Sequence, residues 1–502
     1  MKNIYSKANW LIAAMVIMTS CNSFLEEKPK TFLTPESYFN TEGQVVAAVN
    51  GVYTFLDDIF NGDVEVNSQT LMFMEYLPGY GERPRGAGTQ DLSQAIMPNV
   101  ADNNIYVEKL WQTAYTAIEN CNSIIKGMES MADGILSEDR KNDLLGEVYF
   151  LRAYNYFNLV RLFGPVPLKL SVTSDLSEVQ IELTAIDDVY SQIVLDMTKA
   201  ADLMNNDSWT NTNGRVTKGT VKSYLAKVYL TMAGFPLNKG NEYYQKAYDT
   251  AKEVYQSGAF RLFDTYAELR TVENSGEIIW AIQREANNAG SPVHTCMLPY
   301  PAPAKAISAN SSLGGGLAPT QLFYNSYPEG DMRTEEKQFY YTECEAQDGS
   351  GMVALGAPFI YKFWDSNAAI TGKSGENYTL IRYADVLLMM AEAKAQADGG
   401  TTADADAISA YFAVRSRALP SESKPSSITV NDVLKERFFE LCFEGQTWYD
   451  MLRTRKVLNV TTGQIIDMIG YQTPGHTNAF KDTDLLLPYP VREQRLNPNL
   501  VR

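Results

Sequence analysis

The apolar residues of segment 144–168 recur every three or four positions, a spacing that predicts a long α-helix. Tyr149 and Tyr156 fall on one side of this helix, and Val148 and Leu159 fall on another. A helix with apolar residues on two sides requires packing partners on both of them. Stacked helical hairpins provide this arrangement, so we place the segment at the centre of a helical array.

The same periodicity predicts helices along much of the remaining chain. Their expected positions are residues 42–59, 104–131, 185–204, 218–233, 242–256 and about 430–455, with a helical hairpin at 383–418. Ala247 and Ala251 are small residues at positions where two helices of a hairpin approach closely, as in tetratricopeptide repeats. The predicted fold is therefore mostly α, with tetratricopeptide-like helical hairpins at about 42–257 and 378–455 forming a scaffold.

Two segments, at about 60–103 and 276–375, lack this periodicity and are rich in Gly, Pro, Asn and Tyr. Long irregular segments in compact domains are usually functional or disordered. Only residues 276–285 alternate between apolar and polar positions as a strand does. We therefore expect a loop-rich region with a few short strands, which caps the helical scaffold without forming a separate domain.

The first 21 residues have the pattern of an export signal. Lys2 and Lys7 precede an apolar run at 10–18 that is too short to span a bilayer, and Cys21 follows this run. The arrangement resembles the signal peptide of a bacterial lipoprotein, whose cleavage leaves a lipid-modified cysteine at the new N-terminus. We expect residues 1–20 to be removed and Cys21 to carry the lipid. Ordinary secretion with an incidental cysteine is the alternative.

The chain carries 60 acidic and 43 basic residues, which gives a formal net charge of −17. Such a surface repels nucleic acid and anionic lipid headgroups, so neither is an expected partner. The cysteines lack the spacing of a metal or redox site. A disulfide between Cys296 and Cys344 is possible in an exported protein, whereas Cys121 and Cys442 lie in helical patterns and are expected to be buried thiols.

Few residues are suited to catalysis. His294 and His476 are the only histidines, and no Gly-x-Ser-x-Gly sequence is present, so we predict no catalytic residue and no cofactor. An acidic cluster at 57–63 fits a calcium-binding turn and a solvated turn equally well, and no metal is assigned to it. Carboxylates are abundant enough to leave a secreted glycoside hydrolase open as an alternative.

Four stretches, taken together, point to one protein family, although none of them does so alone. They are LRAYNYFNLVRLFGPVPL at 151–168, LIRYADVLLMMAEA at 380–393, KERFFELCFEGQTWYDMLR at 435–453 and LLLPYPVREQRLNPNL at 485–500. Their order and separation, after a lipoprotein signal, resemble the SusD/RagB family of outer-membrane nutrient-binding lipoproteins of Bacteroidetes. The resemblance implies a single domain over 21–502, anchored by lipid to the outer membrane, facing the cell exterior and seated over a SusC-like TonB-dependent transporter.

The resemblance also implies that ligand contacts come from variable loops and that the four stretches are framework. Charged residues within the stretches are then expected to neutralise one another in buried ion pairs, which are costly to break, at about 3 to 5 kcal/mol for the loss of one partner. The residues concerned are Arg152, Arg382, Glu392, Arg437, Glu440 and Glu444.

A sugar presents hydroxyl groups around its ring and C–H bonds on its faces, so its binding sites combine an aromatic surface with hydrogen-bonding side chains. Both loop-rich segments contain such combinations. The expected stacking residues are Tyr76, Tyr80, Tyr300, Tyr324 and Trp364, and their expected polar partners are Arg83, Asn310 and Asp365.

The function expected from these features is capture of an oligosaccharide or another nutrient, without chemical change, and delivery to the transporter. Two alternatives remain open. The first is a helical-repeat scaffold that binds only protein partners, and the second is the glycoside hydrolase noted above.

Overall fold

The computed structural model of the chain describes residues 39–61, 69–86, 89–173, 175, 180–205, 209–211, 213–291, 293–300, 314–346 and 348–500. The expected signal peptide, Cys21 and Asn310 lie outside these residues, as do the side chains of the acidic cluster at 57–63. Within the described residues, no helix combines the length and the apolar composition that a membrane span requires.

Helices dominate the fold, which confirms the predicted class. They are α1 (Glu42–Asn61), α2 (Gln69–Tyr76), α3 (Gln90–Ile96), α4 (Ile105–Glu129), α5 (Glu138–Phe163), α6 (Ile186–Leu203), α7 (Lys218–Ala233), α8 (Asn241–Gln256), α9 (Val293–Cys296), α10 (Gln321–Asn325), α11 (Ser366–Thr371), α12 (Tyr383–Ala397), α13 (Ala405–Ala418), α14 (Val430–Glu440), α15 (Thr447–Thr454) and α16 (Val491–Leu496). Short 3₁₀ turns lie at Tyr266–Arg270, Met332–Thr334 and Asp482–Asp484.

The strands of the described residues are short and form five antiparallel pairs: β1–β3, β2–β6, β4–β5, β7–β8 and β9–β10. Their bounds are β1 (Gly81–Glu82), β2 (Ile278–Ile282), β3 (Ala318–Pro319), β4 (Tyr340–Glu345), β5 (Met352–Ile360), β6 (Tyr378–Arg382), β7 (Thr401–Thr402), β8 (Ile428–Thr429), β9 (Lys456–Asn459) and β10 (Gln464–Asp467). The predicted strand at 276–285 corresponds to β2.

Helix α5 is buried on both sides, as its sequence predicts. It begins at Ser137, whose side chain accepts a hydrogen bond from the Arg140 backbone N–H, and it ends at Gly164, where φ is +74°. It packs between α4 and α6. The predicted hairpins α7/α8 and α12/α13 also form, and α8 packs against α12, so the two sets of hairpins make one continuous scaffold.

The predicted single helix at about 430–455 is instead two helices, α14 and α15. The chain between them turns through positive φ at Phe443 (63°) and Gly445 (69°). Helical periodicity continues across this break, which explains why the sequence pattern does not reveal it. The turn brings Glu444 back toward the same buried arginine, Arg382, that Glu440 contacts.

Segment 60–103 also differs from its prediction, because it contains α2 and α3 and is not irregular throughout. The apolar run at 71–74 is buried in the main core, together with Tyr76 and Tyr80. The Gly and Pro residues after this run suggest a loop, whereas burial of the run itself fixes the chain against the scaffold.

Arg382 is the centre of a buried network of charges. Its guanidinium donates hydrogen bonds to Glu277 (2.6 Å), Glu440 (2.7 Å) and Glu444 (2.8 Å), and Arg417 contacts Glu277 and Glu440 at 2.6 and 2.7 Å. Burial acts to raise the pKa of Glu440, but the surrounding cations outweigh it and lower this pKa to about 2. The expectation of ion pairing is confirmed here.

A second buried group surrounds Arg437, which lies 3.7 Å from Glu392 and 2.8 Å from Asp450. The expected pairing of Arg437 with Glu392 is therefore present. Arg152 pairs with Asp196 at 2.8 Å, a partner that lies outside the four stretches and that the sequence pattern does not indicate.

The four described cysteines are buried free thiols, which excludes the Cys296–Cys344 disulfide considered above. Cys296 belongs to the main apolar core, whereas Cys344 lies in a separate cluster with Tyr341 and Phe359. The expectation for Cys121 and Cys442 is confirmed.

Removing Arg382 tests the importance of the buried network. Arg382→Met would leave three carboxylates without their shared cation, so we expect the free energy of unfolding to fall by about 3 to 5 kcal/mol. Urea unfolding monitored by circular dichroism measures this change. Lys246→Met, which breaks an exposed pair with Glu242, is the control and should change it by at most about 0.5 kcal/mol. Equal effects of the two substitutions would contradict the assignment.

Candidate functional site

The β1–β3 ladder brings the two loop-rich segments together. Gly81 pairs with Pro319 and Glu82 with Ala318, and the Arg85 backbone N–H donates to the Gly315 carbonyl at 3.2 Å. Residues 230 or more positions apart in sequence are therefore neighbours in the fold. The two loop-rich segments that were expected to carry the ligand contacts therefore lie next to each other.

The Arg85 guanidinium lies over the ring of Tyr300, with its carbon 4.7 Å from the ring centre. Both side chains are half-buried. Gly315 has a φ of +72°, and a Cβ atom there would lie about 2.5 Å from both side chains, so glycine is required beside them. We call this pair, with Gly315 beneath it, the Arg85–Tyr300 platform.

Arg83 is a half-buried neighbour of the platform in sequence. One of its terminal nitrogens donates to the Gly86 carbonyl at 3.2 Å, which holds the turn at 83–86. Its Nε is buried and has no hydrogen-bond acceptor among the described residues. The contact with Gly86 therefore fixes the position of this guanidinium.

Tyr76 and Tyr80 require a correction, because both are buried. Their exposed fractions are 0% and 3%, which leaves no ring face for a sugar. The Tyr76 hydroxyl donates to the Gly316 carbonyl, and the Tyr80 hydroxyl donates to the Leu458 carbonyl at 3.1 Å. Both rings hold the loop segments in place, and neither enters the candidate site.

Tyr324 is half-buried on α10, where its ring meets Tyr340 edge to face at 5.2 Å and its hydroxyl donates to the Thr334 carbonyl at 3.3 Å. These contacts fix its ring in the capping region, and its part in ligand binding stays a prediction.

Trp364 lines a separate cleft. One face of its indole stacks on Tyr361, with ring centres 5.4 Å apart and planes within 10° of each other. Arg270 lies over Tyr361 at 4.7 Å, and three backbone carbonyls, those of Tyr266, Lys337 and Gln338, accept hydrogen bonds from this arginine. Tyr361 therefore contacts both Arg270 and Trp364, and these two residues line the cleft.

Part of the polar lining of the cleft comes from the residues that precede β2 and β6. The other polar lining residues are Arg270, His294, Lys362, Thr379, Arg382 and Glu444. Glu273 and Asn274 precede β2, and Glu376 and Asn377 precede β6. The Asn377 backbone N–H donates to Glu273 at 2.9 Å, which ties the two edges together. This lining can accept and donate several hydrogen bonds beside an aromatic ring. Sequence inspection missed it because no local pattern distinguishes these residues from other loop positions.

Asp365 is buried and has a structural role. Its side chain accepts a hydrogen bond from the Asn367 backbone N–H at 2.7 Å and caps the N-terminus of α11. It therefore fixes the chain that carries Trp364. A direct contact with a ligand is not supported for a carboxylate engaged in this way.

Both histidines are buried, and burial lowers the pKa of each to about 4, so they are neutral at pH 7. The Nδ1 of His294 is 3.0 Å from the Ser374 hydroxyl, and the Nε2 of His476 is 2.9 Å from the Tyr76 carbonyl. Both side chains brace the capping region. Among the described residues, no group of His, Cys, Asp and Glu side chains has an arrangement that could hold a metal ion.

Comparisons with known proteins support the fold assignment over nearly the whole chain. A family model described as "Starch-binding associating with outer membrane" matches residues 23–230, and a model of the SusD family matches residues 332–502. The SusD-like protein P2 of Formosa agariphila is 27% identical over 97% of this chain and 98% of its own length.

Solved structures give the same result. A SusD superfamily protein from Parabacteroides distasonis is 33% identical, with a TM-score of 0.83, and the match covers 91% of this chain and 98% of that protein. Surface glycan-binding protein A from Bacteroides uniformis shares the fold, with a TM-score of 0.74 at 20% identity, over 92% of this chain and 99% of its own.

The fold and the capping loops define a helical scaffold protein of the tetratricopeptide-like class, with its candidate site in the cap. The sequence and structure matches assign it further: the chain belongs to the SusD/RagB family.

Ionisation of Glu376 provides a test of the cleft. Burial, with smaller contributions from Asp365 and Glu273, raises the pKa of Glu376 to about 7. A carboxyl group whose pKa is higher in the folded state than in the unfolded state stabilises the fold at pH values below its unfolded-state pKa. This stabilisation is lost as pH rises through its folded-state pKa. We therefore expect Glu376→Gln to become progressively more stable than the wild type between about pH 4.5 and 7, with a constant difference above this range.

Urea unfolding at several pH values measures this difference. Glu329→Gln, which removes an exposed carboxylate, controls for the loss of one negative charge. A stability difference that stays flat across the whole range would contradict the environment assigned to Glu376.

Proposed function

We propose that this protein is a cell-surface binding protein that captures an oligosaccharide, leaves it chemically unchanged and passes it to a SusC-like TonB-dependent transporter. The observation that carries the proposal is the junction of the two loop segments at the Arg85–Tyr300 platform. A half-buried tyrosine there stands next to the guanidinium of Arg85, which makes no hydrogen bond to a described residue.

The chemistry of the platform suits a saccharide. An aromatic ring packs against the C–H bonds on a sugar face, and neighbouring donors bind its hydroxyl groups. Tyr300 supplies the ring, and Arg83 and Arg85 supply donors. The cleft beside Trp364 combines an aromatic ring with acceptors, from Glu273 and Glu376, and with cationic donors, from Arg270 and Lys362. We propose this cleft as a second part of the binding surface.

The rigid part of the protein supports capture. Helical hairpins at about 42–257 and 378–455 form the scaffold, and we propose that this scaffold provides the docking surface for the transporter. Lipidation of Cys21 after removal of residues 1–20 would hold the single domain 21–502 at the outer membrane, facing the exterior. The name of the matching family model, which refers to the outer membrane, agrees with this placement.

The names of relatives indicate the ligand class. The Bacteroides uniformis neighbour is named a surface glycan-binding protein, and the family model that matches residues 23–230 is described as starch-binding. Neither name specifies a ligand for this chain. They do favour saccharides among the nutrients that an aromatic platform could bind.

Replacing Tyr300 tests the proposal directly. Purified protein lacking residues 1–21 would be screened against oligosaccharides by affinity gel electrophoresis, and the best ligand would be measured by isothermal titration calorimetry. We expect Tyr300→Ala to weaken binding about tenfold or more, because the stacking surface is lost. Tyr255→Ala, which removes a half-buried tyrosine from α8, is the matched control and should bind as the wild type does.

Three results would contradict the proposal. Binding of the transporter without any saccharide would favour a protein-only scaffold. Release of reducing sugar from a polysaccharide would favour a hydrolase. Saccharide binding that Tyr300→Ala leaves unchanged would place the site elsewhere on the protein.

A further inference from the structure

We infer that the cleft beside Trp364 binds the acetamido group of an N-acetylated amino sugar, with the methyl group against aliphatic side chains and the amide against the carboxyl group of Glu376. The inference rests on the proposed function, in which this cleft is a second part of the saccharide-binding surface. It adds the chemical class of the ligand.

Aliphatic side chains form one part of the cleft lining. Ile278 and Ala281 of β2 belong to a small apolar cluster, Leu269 and Val272 pack against it, and all four residues line the cleft. Leu269 and Val272 are only half-buried, so they retain exposed apolar surface. The hydroxyl groups of an unsubstituted sugar would lose hydrogen bonds to water against such a surface. A methyl group is favoured there, because its contact removes apolar area from water.

The size of the cleft limits what can enter it. The cleft offers about 40 Å³ to water-sized groups, each of which needs about 10 to 15 Å³. This is room for about three or four such groups, which is the number of non-hydrogen atoms in an acetamido substituent. A complete sugar ring with its hydroxyl groups is larger. The cleft therefore fits a substituent of a sugar, while the ring itself stays at the rim.

Glu376 offers the polar contact that an amide requires. Its backbone N–H donates to the Ser374 hydroxyl at 3.1 Å, whereas its carboxyl group makes no hydrogen bond to a described residue. This carboxyl can accept a hydrogen bond from an amide N–H in either ionisation state. Burial raises the pKa of Glu376 to about 7, so near pH 6 the group is mostly a neutral acid and can also donate to the amide carbonyl.

Other polar groups of the lining are occupied within the protein. The side-chain amides of Asn274 and Asn377 both donate to the Gln283 side chain, at 2.7 and 3.2 Å. The two buried cations of the lining pair with one shared carboxylate; these pairs are Lys362 and Arg382 with Glu444. Glu376, in contrast, keeps both carboxyl oxygens available to a ligand.

The carboxyl groups around Glu376 also suit a different substituent, a protonated amine. Glu273 and Asp365 lie near enough to contribute to its raised pKa, and together the three groups would attract a cation. An amine has no methyl group, however, so it would leave the aliphatic side chains of the cleft without a partner. Preference for an amine or for an acetamido group therefore separates attraction by charge from the fit that we infer.

The test compares tetrasaccharides that share one backbone and differ in a single ring substituent. Cellotetraose carries a hydroxyl group, chitosan tetraose an amine and chitotetraose an acetamido group at that position. The methyl glycosides of galactose and N-acetylgalactosamine form a second matched pair. Dissociation constants would be measured by isothermal titration calorimetry at pH 6. We expect the acetamido member of at least one pair to bind about tenfold or more tightly than its hydroxyl counterpart.

Variants on both sides of the cleft test the assigned contacts. Val272→Thr keeps the side-chain shape but introduces a hydroxyl group, and Glu376→Ala removes the partner of the amide. Each should lower the ratio of acetamido to hydroxyl affinity by about fivefold. Glu376→Gln keeps a donor and an acceptor, so the ratio should fall less than in Glu376→Ala.

Matched controls use the same substitutions away from the cleft. Val194→Thr changes a half-buried valine of α6, and Glu329→Gln changes an exposed glutamate; both should keep the wild-type ratio. Melting temperatures measured by circular dichroism verify that each variant is folded.

The outcomes distinguish this inference from the proposed function. Equal affinity within both pairs, tighter binding of the amine, or absence of binding by both acetamido ligands would overturn the inference. The proposed function would still stand if another saccharide of the wider screen bound and Tyr300→Ala weakened its binding. Absence of binding by every saccharide would overturn both. An acetamido preference that is unchanged in Val272→Thr and in Glu376→Ala would place the acetamido group elsewhere and would also overturn the inference.

Discussion

The buried charge network at Arg382 is the interaction on which the rest of the structure depends. Its partners come from three parts of the chain: Glu277 precedes β2, Glu440 ends α14, and Glu444 lies in the turn that follows. Charges removed from water are costly unless every one is paired. The capping strands can therefore meet the scaffold helices only in the arrangement that completes this network, and that arrangement fixes the base of the cap.

The network also determines where the candidate surfaces lie. β2 and β6 are locked to the scaffold at the Arg382 end, and the residues that precede each strand line the cleft beside Trp364. The second surface depends on a different device, the β1–β3 ladder, with Tyr76 and Tyr80 buried beneath it. In both cases, buried contacts fix an irregular segment of chain, and the side chains on its outer side form the candidate surface.

These dependencies explain what the sequence could and could not predict. Helices such as α4 and α6 follow from local periodicity, so their ends were predicted to within two residues, although α5 begins six residues before its predicted start. Exposure of a tyrosine depends on packing across distant segments. Tyr76 is buried where the carbonyl of Gly316, 240 residues away, accepts a hydrogen bond from its hydroxyl. No local pattern separates such a tyrosine from Tyr300. The division of 430–455 into two helices has a similar cause, since the turn at Glu444 is set by the distant Arg382.

The two surfaces of the cap differ in the charge that accompanies the aromatic ring. Tyr300 stands beside Arg85, whereas Trp364 borders a cleft that Glu273 and Glu376 also line. Arg270 and Lys362 line this cleft as well, so its polar groups include donors as well as acceptors. The guanidinium of Arg85 offers only donors beside Tyr300. The two surfaces therefore differ in the hydrogen-bonding groups that they present, because each is built from a different pair of distant chain segments.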